Sequence, residues 1–318
     1  MVTGIFTEKP VYRKFIILVF IILLNTIIFS MVGGLLADTF YGIDLMKNPE
    51  ALANLEDPNV VAAMKILQIF TTGLGMFLMP SIVAASLFSQ RPFHYLLLDK
   101  LHGIAVAGLT ILMMFVAVPF INWMLVINQQ MQLPEYLSGV EKWMKESEAN
   151  AALLTEVFLK MDSVPSLIYN LFIVALLPAL GEEFLFRGIL QRLFREITGN
   201  VHMAILLTAI LFSAIHMQFF GFFPRMMLGM LFGYLLYWSG SLWVPVLAHL
   251  INNGAAVLFA YFAGKQSLPF NQETVGTENG EWPLVILSML LIVGIIFLIK
   301  KISKNKPDIY SDIEALAE

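Results

Sequence analysis

Cysteine is absent from the 318 residues, which excludes disulfides, thiolate zinc sites and cysteine nucleophiles but leaves the redox compartment undecided. Charge is scarce too. Only 13% of the residues are Asp, Glu, Lys or Arg, against roughly a quarter in a soluble domain. No basic tract offers a surface to nucleic acid, and the net charge is −4. What is abundant is apolar sequence: 58% of the chain is hydrophobic and the mean hydropathy is +0.79. A single soluble core cannot absorb that much apolar sequence, so the chain reads as an all-α, polytopic integral membrane helix bundle.

A spanning helix needs about 20 mainly apolar residues. Eight stretches qualify, near 15–37, 61–88, 101–127, 165–186, 202–220, 226–239, 244–263 and 282–299. The sixth is short, and the fourth continues as helix to about Glu196. The run after Arg13 and Lys14 is too long for a cleaved signal peptide and is read as the first span. With the N-terminus in the cytoplasm, twelve Lys and Arg fall on the inner side, Lys304 and Lys306 among them. Six fall outside (Lys47, Lys142, Lys145, Lys160, Arg225 and Lys265), and Lys65 falls within a span. That bias places both termini in the cytoplasm, as an even number of spans requires. The expected organisation is a three-span scaffold over 1–127, an extracytoplasmic connection over 128–164, a four-span catalytic core over 165–263, and a last span with a cytoplasmic tail over 264–318. The connection carries Trp143 among Glu141, Lys142, Lys145, Glu146 and Glu148. It fits either an amphipathic helix at the interface or a plain solvated link.

Within the core, four polar residues stand in membrane-spanning sequence: Glu182, His216, His249 and Asn253. Ionisable groups are costly at bilayer depth and mark functional sites by default. This set can activate water, since it holds a general base, two imidazoles and an amide donor for an oxyanion. Glu183 and Arg187 lie four apart on one helical face, the favourable order for an ion pair. Glu182 is turned about 100° from Glu183, so it can face a cavity while Arg187 neutralises its neighbour. Phe212 lies one turn before His216 and can wall the site. His249 and Asn253 share a face, and Asn253 can orient His249 or donate to an oxyanion. Asn252 points elsewhere, as a packing amide. His94, His102 and His202 are read as interfacial.

Glu182-Glu183-xxx-Arg187, then Phe212-xxx-His216, then His249-xxx-Asn253 resembles the ordered motif set of the CPBP family, which includes CAAX prenyl endopeptidases and bacteriocin-processing or immunity proteins of the Abi type. The resemblance covers about 165–263. It implies an eight-helix intramembrane endopeptidase with a cavity open to the cytoplasm, acting on a membrane-embedded or lipid-anchored peptide. In that family pattern Glu182 and His216 activate water, while His249 and Asn253 stabilise the oxyanion. Glu182, His216 and His249 could alternatively hold zinc with an open fourth position, but no His-Glu-x-x-His is present. The glutamate mechanism is favoured and no cofactor is expected. A bacterial inner (plasma) membrane is the expected location. Two other functions stay open: a non-catalytic immunity or binding protein using the same cavity, and a proton-coupled transporter. One geometric demand remains. His216 lies about 14 residues, ~21 Å at 1.5 Å per residue, from its helix start, whereas His249 lies about five residues into its own. Tilt or a shortened fifth helix must bring them level.

Overall fold

A computed structural model describes residues 3–44, 47, 49–101, 103–264, 275–278 and 280–303. His102, Lys265, Lys304 and Lys306 lie outside them. The described chain is helical throughout, with no strand among the described residues. Its helices are α1 (Val11–Tyr41), α2 (Pro58–Phe88), α3 (Ile104–Val116), α4 (Val118–Gln129), α5 (Ser138–Leu159), α6 (Val164–Thr198), α7 (Val201–Ala214), α8 (Phe222–Ser239), α9 (Trp243–Gly264) and α10 (Trp282–Ser303).

Among the described residues six helices are long and apolar enough to cross a membrane, or seven if the pair α3 and α4, bent by 43°, is one span. The protein is a multi-pass membrane bundle. Of the eight expected stretches, the fifth forms the 14-residue α7, ~21 Å long, shorter than the others. The expected short sixth span is in fact an 18-residue helix, α8. Arg225, expected on the outer side, lies in the first turn of α8 inside a spanning segment.

The apolar surface divides as bilayer and protein demand. α1 exposes Ile16, Phe20, Leu23, Ile27 and Leu35 and buries a stripe of Leu18, Ile21, Gly33 and Ala37 against the bundle. The bend between α3 and α4 falls just before Pro119, which lacks an N–H. Ser288 of α10 donates to the Val116 carbonyl at that break, 2.6 Å away. Two wide π-type stretches, Gln68–Leu78 in α2 and Leu171–Leu176 in α6, run into Pro80 and Pro178. There the missing N–H breaks the regular ladder and the wider turn accommodates it.

α2 and α6 meet at glycines. A Cβ on Gly181 would stand 2.9 Å from the Phe77 Cβ and 3.3 Å from the Gly73 carbonyl oxygen. That close approach fixes the height of the next residue, Glu182. The segment between α2 and α3 tucks inward rather than running over the surface: Tyr95, Leu96 and Leu97 are buried. Leu97 adopts φ +57°, and its carbonyl accepts from Leu242 N at 3.2 Å, at the start of α9. The Trp243 indole donates to the Leu98 carbonyl at 3.0 Å.

α5 is the amphipathic helix that one of the two readings expected. It buries only Val157 and carries exposed Glu141–Lys145 and Lys142–Glu146 pairs. Trp143 packs on Phe219, ring centroids 5.0 Å apart. At its far end Lys65 of α2 sits over the Phe158 ring and bonds the Asn170 side chain, which donates to the Phe158 carbonyl.

Gly181→Val should lower stability by roughly 1–3 kcal/mol, because the added atoms meet backbone that cannot yield. Thermal unfolding of the detergent-solubilised protein would show this, with Gly34→Ala unaffected as control, since a Cβ there meets nothing within 4 Å.

Candidate active site

α6 carries two carboxylates at the end of its regular middle piece, Leu177–Glu183, just before the wide stretch Phe184–Leu190. Glu183 Oε1 accepts from Arg187 Nη1 at 2.9 Å, and both side chains are fully buried. The other end of the Arg187 guanidinium donates to the Gly229 carbonyl of α8 at 3.0 Å. Its flat face lies 4.6 Å from the Phe212 ring centroid and 5.4 Å from that of Phe232. A buried ion pair is tolerated only when its remaining hydrogen bonds are met. Here a carbonyl and two aromatic faces meet part of them, while Glu183 Oε2 and Arg187 Nε have no hydrogen-bond partner among the described residues. The same Glu183 oxygen accepts from His249 Nδ1 at 2.8 Å.

His249 is thereby held in one ring form. Its Nδ1 faces an ionised carboxylate, so Nδ1 carries hydrogen and Nε2 is left as the acceptor of the neutral ring. Asn253, one turn on, agrees: its amide nitrogen donates to the Val174 carbonyl at 3.0 Å and to His249 Nε2 at 3.2 Å. Phe232 stacks on the imidazole at 5.4 Å. His216 is fixed likewise, with Nδ1 2.7 Å from the Phe212 carbonyl. A carbonyl only accepts, so again Nε2 is the free acceptor.

Glu182 meets both imidazoles. Its Oε2 lies 4.0 Å from His216 Nε2 and 3.9 Å from His249 Nε2, and it is buried with no hydrogen-bond partner among the described residues. Three acceptors, from α6, from α9 and from the turn after α7, therefore converge around one small space. The distances exceed direct hydrogen bonds and fit a shared small donor between them. The Glu182 side chain is 12% exposed and that of His216 27%, so the space opens on the His216 side.

All seven residues singled out from the sequence gather here. Phe212 walls the space, edge-on to His216 at 5.1 Å and to His249 at 6.1 Å. The depth demand is met from both sides. α7 stops at Ala214, and His216 hangs just beyond its end. α9 starts inside the protein, after the buried Ser239, Ser241 and Leu242. One expectation needs correcting: Asn252 is no separate packing amide, since it donates to Asn253 Oδ1 at 3.1 Å and extends the amide chain of the site. His94 and His202 stay apart from it, paired with Asp99 and Tyr234. Sequence reading missed Phe232, which comes from a helix without a motif.

Zinc does not fit this arrangement well. Ligand atoms about 2.0 Å from a tetrahedral ion stand closer together than the 3.9 and 4.0 Å found here, and the His249 lone pair is already met by Asn253. Among the described residues no group of three or more His, Cys, Asp or Glu has the geometry to hold a metal.

Residues 164–255 match the family model described as Rce1-like, type II CAAX prenyl endopeptidase. That range contains Glu182, His216, His249 and Asn253, so the resemblance seen in the motifs holds over the region that carries the site. An uncharacterized protein, YpbD, of Bacillus subtilis (strain 168) is 28% identical over 117 residues, 36% of this chain and 55% of that protein. The match thus spans about half of that relative's length. No solved structure matches.

The two adjacent glutamates should respond oppositely to amide substitution. Glu183→Gln leaves Arg187 as an uncompensated buried charge and should destabilise by about 3–5 kcal/mol. Glu182→Gln removes a carboxylate lacking a partner and should unfold at or above the wild-type temperature. Melting of the two variants side by side in one detergent checks both.

Proposed function

We propose that the protein is an intramembrane endopeptidase in which Glu182 and His216 activate a water molecule for direct attack on a peptide carbonyl. The observation that carries this reading is the buried Glu182 Oε2 set between two imidazole acceptors, each fixed in its ring form by its own Nδ1 partner. A water placed there donates one hydrogen to Glu182 and one to His216 Nε2, leaving a lone pair for the carbonyl carbon. As the C–O bond forms, the water proton passes to Glu182, which returns it to the departing amide nitrogen as the C–N bond breaks. The role of Asn253 is to turn an N–H from His249 to the oxyanion. His249 stays neutral through these steps, held against the site by its Nδ1 bond to the Glu183 carboxylate at 2.8 Å. The mechanism routes no step through a metal.

For the substrate, the family description points to a prenylated, membrane-anchored protein cleaved near its C-terminus, and the bacteriocin-type branch named above offers unprenylated membrane peptides. Both present a peptide bond at the membrane. The inner-side excess of Lys and Arg supports a site opening toward the cytoplasm of a bacterial plasma membrane. With the stretch 202–220 counted as the eighth crossing, a reporter active only outside the cytoplasm, fused after Lys304, should stay silent, and an active fusion would overturn either that count or the orientation.

Purified protein should cleave at least one member of a fluorogenic peptide panel, prenylated or not. Glu182→Gln and His216→Ala should each lower kcat by ~10²–10⁴-fold, the usual contribution of acid–base groups, and a strong zinc chelator should leave the rate unchanged. Activity lost to the chelator and restored by zinc would replace the glutamate mechanism with a metal one. Peptide capture without turnover by the wild type would favour a non-catalytic binding protein.

A further inference from the structure

His216 stands in an irregular turn, and that turn is tied down from outside. α7 ends at Ala214 and α8 begins at Phe222. Between them Met217, the residue straight after His216, adopts φ +54°. A residue with a side chain is strained in that left-handed region and persists there only where its surroundings over-determine it. On one side the hold comes from α7. The His216 ring meets the Phe212 carbonyl at 2.7 Å and its backbone N–H donates to the Ser213 carbonyl at 3.3 Å.

On the other side the hold comes from α4. Asn128, the next-to-last residue of that helix, is 4% exposed. Its side-chain nitrogen donates to the Phe219 carbonyl at 3.1 Å, and its Oδ1 accepts from Phe223 N at 2.8 Å. The second bond acts as a helix cap. Gly221 stands at the N-cap of α8 without a side chain to offer, so an amide from another helix meets a free N–H of the first turn. The two bonds thus fasten both sides of Gly221, and Ser213 donates to the Phe222 carbonyl between them at 2.7 Å. Other ties to the turn have a looser footing. Arg225 bonds Gln218 from within α8, and Glu148, 3.3 Å from Phe220 N, belongs to α5, which buries only Val157. Asn128 is buried, makes both bonds at once, and lies outside the matched residues 164–255.

We propose that Asn128 is a positioning residue for His216. It clamps the Phe219–Phe223 end of the turn, so that Met217 keeps its left-handed backbone and the His216 ring keeps Nε2 toward Glu182. This role rests on the peptidase reading above, from which the duty of His216 is taken, and it carries part of the site's geometry to a helix without a motif. Without the amide, the Phe219 carbonyl and the Phe223 N–H seek other partners, Met217 relaxes toward negative φ, and the imidazole moves with it. A misplacement of about 1 Å at a reacting group costs on the order of 100-fold in rate.

Two readouts test this, and one needs no substrate. Asn128→Ala should lower kcat by ~10–100-fold on whichever peptide the wild type cleaves, with KM unchanged. In protein that already carries His216→Ala, the same substitution should cost nothing further, because its effect runs through that ring. Asn128→Asp keeps an acceptor for Phe223 N and sets a carboxylate at a helix N-terminus, a favourable place. It should fold even where the alanine variant does not, and show a smaller loss of the same kind. The second readout is the nitrogen-15 spectrum of labelled histidines in the detergent-solubilised protein, with the His216 signals identified by their absence from His216→Gln. Wild type should hold His216 with hydrogen on Nδ1. Asn128→Ala should give a mixture of ring forms at His216 and leave the His249 signals in place. Unchanged His216 signals would overturn the assignment, as would a full further loss of kcat in the His216→Ala background. A simultaneous shift at His249 would also overturn it, making Asn128 a general support of the bundle. If the wild type cleaves no peptide while the His216 signals move as described, the peptidase reading fails and the placement of His216 by Asn128 stands.

Discussion

One carboxylate oxygen organises the centre of this molecule. Glu183 Oε1 receives Arg187 at 2.9 Å and His249 at 2.8 Å, joining α6 to α9, while Arg187 reaches on to the Gly229 carbonyl of α8. These groups are buried to 4% exposure or less, where an unmet charge is expensive and a met one is stiff. Because Glu183 absorbs the charge of Arg187 and the Nδ1 proton of His249, its neighbour is left without either. Glu182 can then face the two Nε2 acceptors. Two adjacent glutamates thus stand in opposite settings, one bonded to Arg187 and His249, the other facing both imidazoles.

The membrane imposes a second constraint, that irregular backbone be tolerated only where it is enclosed by protein or lines a cavity. The irregularities gather near the site accordingly. Wide turns flank the Leu177–Glu183 piece of α6 on both sides. α7 ends partway through the bundle, and Met217, at φ +54°, turns the chain straight after His216. α9 begins below the surface under the inward-tucked Leu97. Each departure adjusts a depth, and together they bring His216 and His249 to the level of Glu182.

Much of this was legible in the sequence. Polar residues in apolar surroundings marked Glu182, His216, His249 and Asn253, and the i,i+4 spacing gave the Glu183–Arg187 pair directly. Helical spacing also carried the stacking of Asn253 on His249. Contacts between helices were not legible by periodicity. The bond from Glu183 to His249 joins residues 66 apart, and Phe232 stacks on His249 from a helix that carries no motif. The end of the fifth stretch was not legible either: residues 202–220 are apolar throughout, yet the helix stops at Ala214, since composition reports burial in lipid or protein alike.

The central claim is that Glu182 acts on water and not on the peptide. Single-turnover cleavage in heavy-oxygen water, followed by mass analysis of the product and of the protein fragment containing Glu182, tests it directly. Direct attack by activated water should put one heavy oxygen into the new product carboxylate and none into Glu182. Heavy oxygen in the Glu182 side chain, with unlabelled product, would mean that the glutamate itself had attacked the carbonyl, and would contradict the account.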